Sequence, residues 1–265
     1  MDKKSVYAEF GVKFERVNSS EKIDSPEFGL INPLLKNGNS KVGKSVYTWS
    51  VLPTNKEYSR VINGKNYNVS GTCPCHCVGC YATAGFYNCT STIDSMVKKT
   101  YLSINYPEFV ERAINAQIKA DNIKIIRIHA SGDFINAAYV EMWKRIIKSN
   151  PNVKFWTYTK RTEFENAFDS FDNANIVKSI IPEKGVNFGH CDYIIQTYYD
   201  LKNAGIDCYI FRCGIDKSQH CNNCTSCSIH KYVLFLEHST EYKAENDPLF
   251  PVLSELIGNQ NNENI

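Results

Sequence analysis

Four of the eleven cysteines of this chain stand within eight residues, in the run Thr72-Cys73-Pro74-Cys75-His76-Cys77-Val78-Gly79-Cys80-Tyr81. A hydrophobic core does not call for thiols at that density. The run reads as a ligand set, and the fold has to present it at a place where a metal can sit. As Cys73-x3-Cys77-x2-Cys80 it offers three thiolates on one short segment. Three thiolates on a four-iron, four-sulfur cluster leave one iron open for chemistry. The competing reading is a structural zinc site of Cys73, Cys75, Cys77 and Cys80, although zinc knuckles usually come as two C-x2-C or C-x4-C pairs from separate segments. A disulfide framework fits less well. No apolar signal segment follows Met1-Asp2-Lys3-Lys4, so the expected setting is a cytoplasmic, thiol-reducing compartment.

A second group, Cys213-x7-Cys221-x2-Cys224-x2-Cys227, supplies four thiolates. Its C-x2-C-x2-C core is the run with which bacterial ferredoxins hold a four-iron cluster, and four protein ligands make such a site closed, suited to carrying electrons or bracing a fold. Zinc held by Cys213, Cys221, Cys224 and either Cys227 or His230 is the alternative here. The spacing also allows one shared site, with three thiolates from the first group and one from the second. Cys89, Cys191 and Cys208 stand alone and read as buried free cysteines.

Hydrophobic periodicity supplies the scaffold. Residues 1–44 show no sustained period and read as an irregular N-terminal wrap. Ser45 to Leu52 is a β-rich run stopped by Pro53, and Asn63-Gly64 between two β-rich runs signals a hairpin leading into the cysteine loop. Apolar stripes through Ile93–Ile104, Phe109–Ile114 and Tyr139–Ile147 predict helices, and Thr162 with Glu165 forms a capping-box pattern before a further one. Strands are expected to begin near residues 66, 123, 153, 175, 207 and 231, mostly separated by helices. That alternation predicts an α/β fold: a partial, open parallel βα barrel of about six units, forming one domain over residues 45–257. The Asn-rich stretch 258–265 is expected to be a disordered tail.

In βα barrels function gathers where strands end and loops begin. The first cysteine loop, Ser131-Gly132-Asp133, Lys160-Arg161, Ser179 and Cys213 all fall at such ends. Lys160 and Arg161 suit a carboxylate or phosphate, or a solvated edge. His129 reads as a proton donor to substrate or as a hydrogen-bonded core residue, and Tyr81, Phe86 and Tyr87 as a shield over the loop or as ordinary packing. Thirty basic and 28 acidic residues leave a net charge of +2, too balanced for the electrostatic footprint of a nucleic-acid binder. No apolar run approaches the roughly 18 residues of a membrane span, so no membrane partner is expected.

The C-x3-C-x2-C loop resembles the signature of the radical S-adenosylmethionine superfamily, from which it departs at Gly79 and at the extra Cys75. A longer resemblance covers residues 72–227 and points to the gene product 88 family of phages and mobile elements, described as radical S-adenosylmethionine-like. It rests on Thr72-Cys73-Pro74 with Cys80-Tyr81-Ala82 and Gly85, Ile128-His129-Ala130-Ser131-Gly132-Asp133-Phe134, Phe155-Trp156-Thr157-Tyr158-Thr159-Lys160, and the late C-x2-C-x2-C.

The resemblance implies one or two four-iron clusters, with Cys73, Cys77 and Cys80 on the open one and Cys213, Cys221, Cys224 and Cys227 on an auxiliary site. It also implies S-adenosylmethionine as a small-molecule cofactor and a reductant or electron-donor protein as partner. Ser131, Gly132 and Asp133 would hold the cofactor's amino group and Ser179 its ribose, while the plainer reading of Asp133, or of Asn136, is a helix cap. The rival to a radical enzyme is a non-enzymatic, metal-stabilised binding module, associated with nucleic acid in a phage or mobile element.

Overall fold

The computed structural model describes residues 2–38, 43–75, 80–179, 191–206, 208–211, 226–235 and 246–262. The N-terminal segment is regular, contrary to the expected wrap. Asp2 accepts a hydrogen bond from the Lys4 amide and caps α1 (Lys3–Glu9). Strands β1 (Phe14–Val17), β2 (Ser20–Ser25) and β3 (Gly29–Ile31) then form an antiparallel sheet. Asn18 and Ser19 turn the first hairpin at φ 48° and 65°, the mirror-image geometry that matches strand twist. Asn-Ser signals that turn more weakly than Asn-Gly. Tyr7, Val12, Phe14 and Ile23 from this segment lie in the main core, so no domain boundary falls at residue 44.

After β4 (Lys36–Asn37), the strand β5 (Val46–Ser50) opens the central sheet. The hairpin β6 (Glu57–Ile62) and β7 (Lys65–Ser70) follows, paired antiparallel around Asn63 and Gly64 at φ 52° and 79°. The strand expected near residue 66 is therefore half of a hairpin and not a member of the parallel sheet; β5 takes that place. The hairpin delivers the chain to Thr72. Helices α2 (Thr90–Asn105) and α3 (Pro107–Ala120), β8 (Ile125–Ser131), α4 (Ala137–Ser149), β9 (Lys154–Thr159) and β10 (Ala174–Lys178) complete the sheet, ordered β10-β9-β8-β5-β4. β5, β8, β9 and β10 are mutually parallel neighbours in chain order, and β4 pairs antiparallel at the edge.

The capping-box helix does not form. Thr162–Phe164 is a single 3-10 turn with no side-chain cap, and β9 reaches β10 through turns. Beyond β10, α5 (Cys191–Asn203), β11 (Cys208–Phe211), α6 (Ser226–Ile229), β12 (Tyr232–Phe235) and α7 (Phe250–Asn262) build a smaller core around Ile194, Ile210, Leu234 and Leu253. β11 and β12 pair in parallel, and the Lys178 amide donates to Lys231 O at 2.9 Å, so the chain entering β12 is what meets β10. The tail expected to be disordered from residue 258 is helical through Asn262. Cys191 and Cys208 are buried in the smaller core as expected, whereas Cys89, which precedes α2, is exposed.

The sheet is covered on both faces, which is why successive residues of β9, Phe155, Trp156 and Thr157, are all buried. Phe155, Ile126, Ile128 and Ile176 pack into the main core with α2, α3 and α4, while Val46, Ile125, Trp156 and Tyr158 face the other way with Cys227. Between β5 and β8 the register jumps from Thr48–Arg127 to Ser50–Ser131, two steps on one strand against four on the other. The bulge centres on His129 at φ 56°, a conformation that costs a non-glycine residue free energy and that neighbouring contacts must hold. They do so through a relay. Trp49 Nε1 donates to the Tyr139 hydroxyl at 2.8 Å, and the two imidazole nitrogens of His129 lie 3.0 Å from Tyr139 Oη and 2.9 Å from Thr157 Oγ1. His129 is thus a core residue, beyond reach of a substrate.

Burial holds the His129 imidazole at about 3, against an ordinary value of 6.5. Between those values the unfolded chain binds a proton that the folded chain refuses, so stability is full above pH 6.5 and falls with acid. The expected loss is about 2 kcal/mol on going from about pH 6.5 to about pH 5. Urea unfolding of His129→Gln should show a shallower acid dependence by that amount. An unchanged pH slope would remove His129 as its source.

Candidate metal centre at the strand ends

The carboxyl ends of β5, β8 and β9 are tied together around Thr72, the residue before the first cysteine. Its amide and its hydroxyl both donate to Leu52 O, at 3.0 and 2.9 Å. The same hydroxyl accepts from the Asp133 amide at 2.8 Å. Arg161 Nε and Nη2 donate to Thr72 O at 3.3 and 3.1 Å. Three strand ends therefore converge on one residue, and the cysteine loop starts from it. The Cys73 amide continues the attachment by donating to Thr54 O at 2.9 Å.

Asp133 is the second node. Its Oδ1 accepts from Thr159 Oγ1 at 2.6 Å and from the Phe134 amide at 2.7 Å, and its Oδ2 accepts from the Lys160 amide at 2.9 Å. Burial pushes its pKa up, and the hydrogen bonds from Lys160, Thr159 and Phe134 pull against that. Of the two residues read as helix caps, Asn136 is the one that caps α4: its Oδ1 accepts from the Tyr139 amide at 2.9 Å. Ser131 Oγ donates to Val51 O at 3.2 Å. Ser179 closes the row, its amide donating to Thr159 O at 2.8 Å at the end of the fourth parallel strand.

Two glycines make this approach possible. A Cβ on Gly71 would lie 2.3 Å from Pro53 O and 2.4 Å from Thr54 O. Gly132, at φ +82°, would place one 2.5 Å from Val51 Cγ2 and 2.7 Å from Thr72 Oγ1.

Of the first cysteine group, Cys73, Cys75 and Cys80 lie among the described residues, all partly buried; Cys77 lies outside them. Burial, followed by the charge of Asp133, pushes the Cys73 thiol up to about 12, and Cys80 lies near enough to add to the shift while Lys160 opposes it. A cation bound to the loop would reverse that balance, because a coordinating thiol is deprotonated outright. Thiol donors of this kind suit iron-sulfur clusters or zinc. Among the described residues no three His, Cys, Asp or Glu side chains are grouped tightly enough to form a metal site. Of the late group, Cys213, Cys221 and Cys224 lie outside the described residues, and Cys227 sits on α6 against β9 and β10.

The remaining rim residues are placed differently from their sequence reading. Arg161 does not stand free for an anion: besides Thr72 O it binds Glu163 through Nη1 at 3.1 Å. Phe86 is 88% exposed and Tyr81 58%, so neither is packed as a shield. The hydroxyls of Tyr81 and Tyr87 donate to Ala130 O at 2.6 and 3.2 Å, which pins the chain after Cys80 to β8. Sequence reasoning missed Thr72. A threonine adjoining the first cysteine was in view, but its role depends on strand ends that are distant in the chain.

Fold and rim together define an α/β protein whose parallel strands present a cysteine loop at their carboxyl ends. The profile described as Gene product 88 matches residues 33–241, and the chain belongs to that family. It is 36% identical over 81 residues to the Gene 88 protein of Mycobacterium phage L5 and 31% identical over 81 residues to that of Mycobacterium phage D29. Each match covers 26% of this chain and 34% of the relative, so the chain spans about a third of the length of those relatives. No solved structure matches the chain. Among the described residues no helix is long and apolar enough to cross a membrane.

The rim is expected to be a stability element whatever it binds. Asp133→Ala leaves a buried hydroxyl and two amides without their acceptor and should cost about 3 kcal/mol. Gly132→Ala adds a backbone and side-chain clash to an unfavourable φ and should cost 2 kcal/mol or more, roughly, against about 1 kcal/mol for Gly64→Ala. Gly64, at φ +79° with nothing within 4 Å, isolates the backbone effect. Denaturant midpoints of the three variants check this, and equal losses at Gly132 and Gly64 would contradict the packing at Gly132.

Proposed function

We propose that this chain is an iron-sulfur protein of the radical S-adenosylmethionine type, on a partial, open βα barrel. The observation that carries the reading is the seating of the cysteine loop: Thr72, one residue before Cys73, is bonded to the ends of three parallel strands at once. The C-terminal rim is where βα folds place their chemistry. A loop offering Cys73, Cys77 and Cys80 from that rim provides three thiolates and leaves a cluster iron open.

In this reading Cys73, Cys77 and Cys80 hold the open four-iron cluster, and Cys213, Cys221, Cys224 and Cys227 hold an auxiliary one. When bound, the open cluster would supply one-electron reductive cleavage of S-adenosylmethionine to a 5'-deoxyadenosyl radical. The chain's own contribution is positioning. Thr72 and Gly71 fix where the loop leaves the fold. Ser131, Gly132 and Ser179 form the cofactor side of the rim. Asp133 acts through the turn it holds rather than by direct contact, since its carboxylate is already engaged by Thr159, Phe134 and Lys160. A cytoplasmic compartment would keep the thiols reduced, and a low-potential electron donor is the expected partner. The balanced charge gives no support to nucleic acid as a partner.

Protein purified without oxygen is expected to be brown and to contain iron with acid-labile sulfide. Cys77→Ala should abolish the open cluster, while Cys224→Ala should keep it and lower total iron by roughly half. S-adenosylmethionine should alter the electron paramagnetic resonance signal of the reduced protein, and a strong reductant should then release 5'-deoxyadenosine. Stoichiometric zinc in colourless protein would overturn the metal assignment. An iron-loaded protein that ignores S-adenosylmethionine would overturn the enzyme assignment alone.

A further inference from the structure

A cavity of about 410 Å³ lies beside the cysteine loop, within the size range of small-molecule sites. It is enclosed by the chain after β5, the start of β6, the two 3-10 turns that follow Cys80 (Tyr81–Thr83 and Gly85–Asn88) and the first turns of α2. Its walls are tied to one another. Arg60 Nε donates to Asp94 Oδ1 at 2.7 Å and joins the hairpin to α2, and the Tyr58 hydroxyl donates to Pro53 O at 3.2 Å. The same walls hold both ends of the cysteine loop. Thr54 O accepts from the Cys73 amide at 2.9 Å, and Thr83 bonds Cys80 O through its amide at 3.0 Å and its hydroxyl at 2.8 Å.

The wall is strained at Thr54, which is 2% exposed and adopts φ 60°. That conformation is unfavourable for a β-branched residue, persists only where the surroundings impose it, and collects at binding sites. Held there, Thr54 Oγ1 accepts from the Lys56 amide at 3.2 Å and fixes the chain at the mouth of the cavity. Lys56 and Glu57 both line the cavity and are exposed.

The lining defines the chemistry of a ligand. Pro53, Tyr58, Tyr87, Ile93 and Met96 make an apolar compartment. The hydroxyls of Tyr58 and Tyr87 are already engaged, by Pro53 O and Ala130 O, so their rings offer carbon. Among the described residues neither Lys56 nor Glu57 makes an ion pair. One cation and one anion side by side at the edge of an apolar compartment complement a zwitterion that carries an apolar side chain.

We infer that this cavity binds a free apolar α-amino acid, its carboxylate on Lys56, its ammonium on Glu57 and its side chain among Tyr58, Tyr87, Ile93 and Met96. The binding depends on the cavity and not on the metal content of the loop. Only the amino acid's standing as a substrate of chemistry at the loop rests on the function proposed above.

The test is isothermal titration calorimetry of the full-length protein as purified, with its metal content measured alongside, against L-phenylalanine, L-tyrosine, L-leucine and L-methionine. At least one should bind with a Kd below about 1 mM. That amino acid should bind about tenfold more tightly than its decarboxylated amine or its deaminated acid. Lys56→Met, at an exposed side chain, should weaken the amino acid about tenfold and leave the amine unchanged; Glu57→Gln should weaken it equally and leave the acid unchanged. Ile93→Trp fills the cavity from a half-buried position and should abolish binding of all three. Binding of none of the four amino acids by iron-loaded protein overturns this inference alone. So does an amine or acid that binds as tightly as its amino acid, or a folded Ile93→Trp protein that binds like the wild type. Colourless, zinc-loaded protein that binds the amino acid upholds the inference and overturns the function proposed above.

Discussion

Everything at the carboxyl end of the sheet depends on the hydrogen bond between the Asp133 amide and the Thr72 hydroxyl. It links β5, which Thr72 grips through Leu52 O, to the turn after β8, and the Asp133 carboxylate extends the link to β9 through Thr159 and Lys160. A buried carboxylate is costly unless its oxygens are satisfied. Here satisfaction comes only when the ends of β8 and β9 stand at the right distance, so the same bonds that neutralise the cost of burial also fix the geometry of the rim. The cysteine loop inherits that rigidity on the side of Cys73.

Backbone freedom was needed to bring these ends together. Gly71 and Gly132 let chain segments approach within distances that any side chain would forbid. The bulge at His129 re-aims the end of β8, and it persists because Tyr139, Trp49 and Thr157 hold the imidazole in a dry, fully bonded position. Strain in one strand is thus compensated by a polar relay in the core beneath it, and the turn carrying Ser131, Gly132 and Asp133 follows directly.

The opposite sheet face has a different task. In a sheet bearing helices on one side only, Trp156 and Tyr158 would meet water. Instead α6 and the chain entering β12 cover them, tied down by Asn175 and Lys178. A cysteine from the late group is thereby brought under the strand that leads to the rim. Cys227 and Cys80, distant in sequence, stand at the two ends of one tyrosine–arginine–tyrosine series.

The sequence by itself determined the elements: the helices through Ile93–Ile104, Phe109–Ile114 and Tyr139–Ile147, the strands near 123, 153 and 175, the Asn63-Gly64 hairpin and the family were all legible. Periodicity and turn chemistry are local, and they survive without knowledge of neighbours. Tertiary structure decided the rest. The first parallel strand is β5 and not the run before the cysteines, because a short polar-facing run pairs with its hairpin partner when a buried alternative such as Trp49 and Val46 can take the sheet position. The helix expected after Thr162 is absent, since its residues are held as turns between two adjacent strands. The roles of Thr72 and Asp133 were illegible for one physical reason: each is defined by hydrogen bonds to residues 20 to 89 positions away, and no local pattern encodes a partner at that separation.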